Sequence, residues 1–192
     1  MILLSVAHSE KSPGVVNDNA FLKEHEVSAR ASLACYRRLT SNQVACHLFN
    51  VGWMDDHEYS VVKPKVANAI GPMLAVEIHC NGSKDQRANY SEVIHHEASR
   101  IGREAGMFIA DRFQKEFDEA LGWPNHGARP NLVEADGHRD FWLQTTNVPA
   151  LIVEGLFLSN IEQAAWIAQH GAEAYGLIVA DGILNWLNSQ KG

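Results

Sequence analysis

Apolar positions along this chain follow two alternating rhythms. The runs "ILLSVAH" (2–8), "QVACHLFNV" (43–51), "MLAVEIHC" (73–80) and "PALIVEGLFLSN" (149–160) are short and nearly continuous, as strands buried on both faces require. Between them, "EHEVSARASLACYRRL" (24–39) and a shorter stretch around "VKPKVANAI" (62–70) space their apolar residues as helices do. From Glu92 to Leu121 the positions Val93, Ala98, Ile101, Ala105, Phe108, Ile109, Phe113 and Phe117 predict one long amphipathic helix, with a break at Gly106. "GWPNHGARPN" (122–131) is rich in Gly, Pro and Asn and reads as a loop. Residues Ile161 to Leu187 predict closing helices divided near Gly171. Strands alternating with helices predict an α/β fold: a twisted, mostly parallel sheet of about five to six strands with helices on both faces.

That architecture decides where chemistry can sit, because ligands of parallel sheets bind beyond the carboxyl ends of the strands. His8 ends the first strand, His79 a central one and Glu154 the last, while Glu24 opens the first helix on the side shared with Val27 and Ala31. In "AVEIHCNG" (75–82), strand alternation puts Glu77 and His79 on one face and Val76, Ile78 and Cys80 on the other. Two imidazoles and a carboxylate with an open fourth position describe a catalytic zinc site. A carboxylate inside "LIVEGLFL" needs a partner or a task, and Glu154 is placed to be a general base. Taken singly, each residue also has an ordinary reading: a hydrogen-bonded histidine at a strand end, or a helix first-turn acid. His25, His47, His57, His95, His96 and His170 are expected at solvated positions. His126 and His138 lie in or near the polar loop, where substrate contact or proton transfer is possible.

Composition narrows the partners. A formal net charge of −7 gives no support for binding nucleic acid or an anionic membrane. Cys35, Cys46 and Cys80 show neither a CxxC pair nor a disulfide framework. The amino terminus lacks a basic region ahead of its apolar run, and no stretch of about 18 apolar residues occurs. The expectation is a single domain over 1–192, acting as a monomer, made in the cytoplasm without a signal peptide and without membrane insertion.

Three segments resemble the zinc-dependent N-acetylmuramoyl-L-alanine amidases, the cell-wall hydrolases of bacteria and phage endolysins. "EHEVSARASL" looks like that family's Glu-Lys-Asp-x-Asn-Leu helix start, "VEIHCNG" like its Ser-Ile-His-x-Asn segment, and "VPALIVEGLFLSN" like its Pro-x-x-x-x-Glu-x-x-Phe-x-Ser-Asn strand. In the last, Pro149, Glu154, Phe157, Ser159 and Asn160 all match. The resemblance implies one zinc ion per chain on His8, Glu24 and His79, with Glu154 as catalytic glutamate; Asn81 matches the family segment, Asn68 stands where the family has an Asn before the His strand, and Arg129 answers to a basic residue ahead of the last strand. The chain departs from the family in three ways. "SVAHSEKSPG" replaces Asp-Pro-Gly-His-Gly-Gly, displacing the nearest glycine to Gly14. Glu77 replaces a Ser and can either orient His79 or compete for the metal. Of the "EHE" pair, Glu24 or Glu26 can be the ligand, with Glu24 favoured by alignment.

The reaction implied is hydrolysis of the amide between N-acetylmuramic acid and L-alanine in peptidoglycan or a muropeptide, with His138 or Arg129 as oxyanion donor. Such a chain acts on the wall as an endolysin does, without a separate wall-binding domain, or on intracellular muropeptides. Alternatives are a zinc amidohydrolase or carboxypeptidase for small N-acyl amino acids, and a non-catalytic pseudo-amidase that binds wall fragments.

Overall fold

The computed structural model of the protein describes residues 1–131 and 141–191. In chain order the elements are β1 (Ile2–Val6), β2 (Val16–Asn17), β3 (Leu22–Lys23), α1 (Glu24–Ser41), β4 (Cys46–Phe49), α2 (Asp56–Ile70), β5 (Leu74–Asn81), β6 (Ser91–His95), α3 (Arg100–Phe113), β7 (Asn125–Pro130), α4 (Phe141–Thr145), β8 (Ala150–Phe157), α5 (Ile161–His170) and α6 (Ala172–Ser189). A π-helical turn, Gln114–Glu119, extends α3.

Six strands form one sheet in the order β4-β1-β5-β8-β6-β7, and β2 and β3 form a small separate hairpin. Neighbours run parallel except β6 and β8. The reversal arises because β6 begins near the edge where β5 ends, after a short loop instead of a crossover helix. The starts of β6 and β7 therefore face the same edge as the ends of β1, β5 and β8.

One face of the sheet carries the larger core, where Val76, Ile78, Val93, Leu151 and Val153 pack against α1, α3 and α6. α6 is buried by both other helices and approaches them at glycines: a Cβ on Gly176 would strike the Ala31 carbonyl, and one on Gly182 would stand 2.7 Å from Ile109 Cα. The opposite face packs Leu3, Ala75, Ala150 and Ile152 under Ala67 of α2 and Trp142 and Leu143 of α4. Strand alternation puts Glu77 and His79 on this second face, so α2 is the helix that covers them.

The sheet class, the division of α5 from α6 at Gly171 (φ 81°) and the strands β1, β4, β5 and β8 match the pattern of the sequence. The segment 92–121 does not. Its first residues form β6, buried on both faces except for half-buried Ile94, and the helix starts only at Arg100, where Ser99 accepts the Gly102 N–H at 3.0 Å. No break occurs at Gly106. The expected loop 122–131 holds β7, an edge strand that tolerates Gly127 and Pro130 because only one side of it is paired. α2 begins earlier than its apolar pattern, at a capping box between Asp55 and Glu58. Among the described residues, no helix is long and apolar enough to cross a membrane.

Candidate metal centre and active site

The first turn of α1 builds much of the site. No side chain caps this helix; its opening N–H groups instead reach the preceding loop, Glu24 N to Val15 O at 2.9 Å and His25 N to Pro13 O at 3.0 Å. This draws residues 13–15 across the carboxylate of Glu24. One turn on, Ser28 Oγ accepts the Ala7 N–H at 2.7 Å and donates to Ile78 O at 2.5 Å, while His25 Nδ1 meets Ala7 O at 3.0 Å. The ends of β1 and β5 are thus fastened to one helix immediately before His8 and His79. His25 is buried by this task, and His95 is buried too with Nδ1 on His96 O, so the solvated positions expected for these two are corrected.

Glu24, 2% exposed, stands between the two histidines. Its Oε1 meets His79 Nδ1 at 3.0 Å and accepts the Cys80 N–H at 3.0 Å. Its Oε2 meets His8 Nε2 at 3.0 Å and accepts the Val15 N–H at 3.0 Å. Each oxygen is therefore fixed by backbone and still faces an imidazole. One donor atom from each of His8, Glu24 and His79 lies within 4.8 Å of the others, a group that could hold a metal ion. Glu26 is exposed and pairs with Lys23 at 3.2 Å, so Glu24 is the member of the pair brought to the histidines.

His8 takes a left-handed backbone, φ 57°, and Gly14 (φ 73°) passes so close that a Cβ there would lie 2.7 Å from His8 Nε2. The displaced glycine thus lets a loop pass beside the site. Burial pushes the Glu24 carboxyl up, but hydrogen bonds from His79 and His8 outweigh it and hold the group far below the carboxylate range. Burial pulls the His79 imidazole down, and its bonds to Glu24 and Glu77 overcome this and raise it well above its usual value.

The second nitrogen of each histidine also has a partner. His8 Nδ1 meets Tyr59 Oη at 3.2 Å, and His79 Nε2 meets Glu77 Oε2 at 3.3 Å. Glu77 in turn accepts from Lys63 Nζ at 2.5 Å and from Ser5 Oγ at 3.2 Å, both on Oε1. Burial pushes the Glu77 carboxyl up, but the charge of Lys63, followed by His79, holds it down at about 2. Burial, then the Asp56 carboxylate, push the Tyr59 phenol far up, so it stays protonated.

Glu154 on β8 is in register with His79 on β5 and, across its other side, with Glu92 on β6. All three share the sheet face of Glu77. Glu92 is buried and pairs with Arg129 Nε at 2.8 Å. His126 is exposed and stacks on Tyr90 with ring centroids 4.0 Å apart, while His138 lies outside the described residues. Asn81 closes β5, its carbonyl accepting the Leu158 N–H at 3.0 Å. Asn68 faces away from the histidines' chemistry: it donates to Thr145 O and accepts the Asn147 N–H, tying α2 to the segment before β8. Tyr59, Lys63 and Glu92 were not singled out from the sequence; Lys63, nearly fully buried, falls inside the apolar pattern of "VKPKVANAI" where a lysine is out of place, and that was its signal.

Residues 2–185 match the family model described as N-acetylmuramoyl-L-alanine amidase. The chain belongs to the N-acetylmuramoyl-L-alanine amidase family. It is accordingly a hydrolase of peptidoglycan, directed at the amide between N-acetylmuramic acid and L-alanine. Solved structures share the fold. Cwp6 from Clostridium difficile superposes with a TM-score of 0.81 at 18% identity, over 96% of this chain and 28% of that one. The amidase AmiC2 of Nostoc punctiforme gives 0.79 at 18% identity, over 97% and 96%. The catalytic domain of CD27L, an endolysin targeting Clostridia difficile, gives 0.75 at 19% identity, over 96% of each. The chain thus spans about a quarter of Cwp6 but nearly all of the other two. No curated protein matches it in sequence.

Proposed function

We propose that this amidase holds one zinc ion on His8, Glu24 and His79 and that Glu154 is its catalytic acid and base. The observation that carries the reading is the convergence of three donors within 4.8 Å, each already fixed by a second partner. The donor set suits zinc, which takes two imidazoles and a carboxylate in catalytic sites with one position left open. Bound there, zinc would polarise the scissile carbonyl and lower the pKa of water toward about 7.

Every other part is played by the chain. His8, Glu24 and His79 turn their donors toward one another, and the Gly14 loop passes beside His8 and Glu24. Glu154, beside His79, takes a proton from the attacking water and returns it to the leaving amine nitrogen of alanine. Among the described residues Arg129, paired with Glu92 at 2.8 Å, is the candidate donor to the oxyanion, and the family resemblance makes His138 the other candidate. The likeness to an endolysin domain supports action on the wall itself.

Purified peptidoglycan tests the reading. Its turbidity should fall with release of peptides bearing N-terminal alanine. Reducing-sugar ends in their place would identify a glycosidase, and cleavage of small N-acyl amino acids without attack on the wall or on muropeptides would favour the amidohydrolase alternative.

A further inference from the structure

We infer that α2 is the orienting element of the metal centre: Tyr59 and Lys63, one turn apart, fix both histidine ligands, Tyr59 directly and Lys63 by holding Glu77 as an outer partner of His79. The inference rests on the zinc assignment above and goes beyond it, since it concerns residues that do not touch the metal.

The geometry is that of two arms from one helix face. Tyr59 reaches His8 Nδ1, which leaves Nε2 facing Glu24. Lys63 reaches Glu77, whose other oxygen reaches His79 Nε2, which leaves Nδ1 facing Glu24. The arms are tied together, because the Lys63 ammonium stands 4.5 Å from the centre of the Tyr59 ring. A partner on the outer nitrogen of a ligating histidine fixes its tautomer and ring plane, and a carboxylate there also strengthens the imidazole as a donor.

Lys63 answers why a carboxylate can be tolerated so near the metal. Lys63 and Glu77 are 3% and 4% exposed, and a buried ion pair offers little net stability over an apolar pair of the same size. Its presence therefore points to a task. Glu77 is two residues from His79 on the same face, and a free carboxylate there would compete for the ion. Lys63 and Ser5 both engage Oε1, which turns Oε2 to the outer nitrogen of His79 and away from the metal position. Tyr59, Lys63 and Glu77 are positioning residues.

The test uses the zinc-loaded enzyme, the rate of zinc loss to a chelator, and the visible spectrum after cobalt replacement, which reports coordination geometry. Glu77→Gln and Tyr59→Phe should each lose zinc faster, Glu77→Gln with affinity about 10–100-fold weaker. Lys63→Met should change the cobalt spectrum as Glu77 joins the metal, and Lys63→Arg should restore it. The double variant Lys63→Met/Glu77→Leu removes the pair without stranding a charge; it should fold with a metal-free melting temperature at or above wild type, yet bind zinc as weakly as Glu77→Gln. Wild-type zinc retention and cobalt spectra in all of these variants would overturn the inference while leaving the zinc assignment standing. A wild-type protein that binds no zinc would sink the assignment and the inference with it.

Discussion

His79 and Glu154 stand side by side in register on adjacent parallel strands, β5 and β8, at the edge where both strands end. This pairing places a candidate metal ligand and a candidate proton carrier on one sheet face without any loop to position them. The rigidity of the sheet then supplies the alignment that amide hydrolysis needs. Strand register, more than local sequence, is what the chemistry depends on.

The Gly14 crossing makes a first prediction. Gly14→Ala sets a methyl against His8 and Glu24 and asks a left-handed backbone of a residue that resists it. The strain should cost about 1–3 kcal/mol and loosen the donor set. Calorimetric titration with zinc should show weaker binding, together with a lower melting temperature in the metal-free form.

Ser28 offers a prediction about stability alone. Ser28→Ala leaves the buried Ala7 N–H and Ile78 carbonyl without their shared hydroxyl. Each orphaned group costs about 1–3 kcal/mol. Urea unfolding should show a midpoint shifted down with an unchanged slope; a wild-type midpoint would mean that the Ser28 clamp between β1, β5 and α1 adds no stability.

Acid should act on the metal-free protein through Glu77. Its folded value of about 2 lies below its ordinary 4.5, so its contribution is complete above pH 4.5 and is lost as the pH falls through 2. His79 has the opposite sign: raised above 6.5, it contributes fully below that pH and loses the contribution as the pH rises through its folded value. Thermal melts of wild type and Glu77→Gln, both stripped of metal, should therefore differ most near neutrality and converge between pH 4.5 and 2. A gap that persists to pH 2 would show that the Gln side chain itself, not the lost charge, destabilises the protein.

Arg129 is predicted to act on the buried carboxylate beside Glu154. Arg129→Ala leaves Glu92, 4% exposed, without this cation. Removing one partner of a pair that is buried on one side only should cost less than the about 3–5 kcal/mol of a fully buried pair. Denaturant unfolding measures the stability, and the pH profile of wall hydrolysis should shift in the variant because the charge beside Glu154 changes.

Much of this site could be read from the chain because its parts sit at strand ends. His8 and His79 close apolar runs and Glu154 interrupts one in its second half, and an α/β sheet gathers the ends of such runs at one edge. β6 and β7 were illegible for the opposite reason. "SEVIHH" is too short to outvote the helical spacing that follows it, and "NHGARP" is an edge strand whose Gly and Pro mimic a turn. Glu92 was hidden with β6, since the charge that pairs with it, Arg129, lies on β7. Tyr59 stayed hidden because the apolar pattern of α2 starts after it, while the capping box of Asp55 and Glu58 starts the helix before it. The burial of His25 follows from Ala7, a backbone partner that only the folded chain brings near.

The most direct measurement is elemental analysis of the wild type and of Glu154→Ala, paired with assay of alanine amide hydrolysis. Both proteins should hold about one zinc per chain, with activity in the variant lower by about 100-fold or more. A wild type that retains no zinc after reconstitution with the ion, or a Glu154→Ala variant that has lost its metal, would contradict the roles assigned to His8, Glu24, His79 and Glu154.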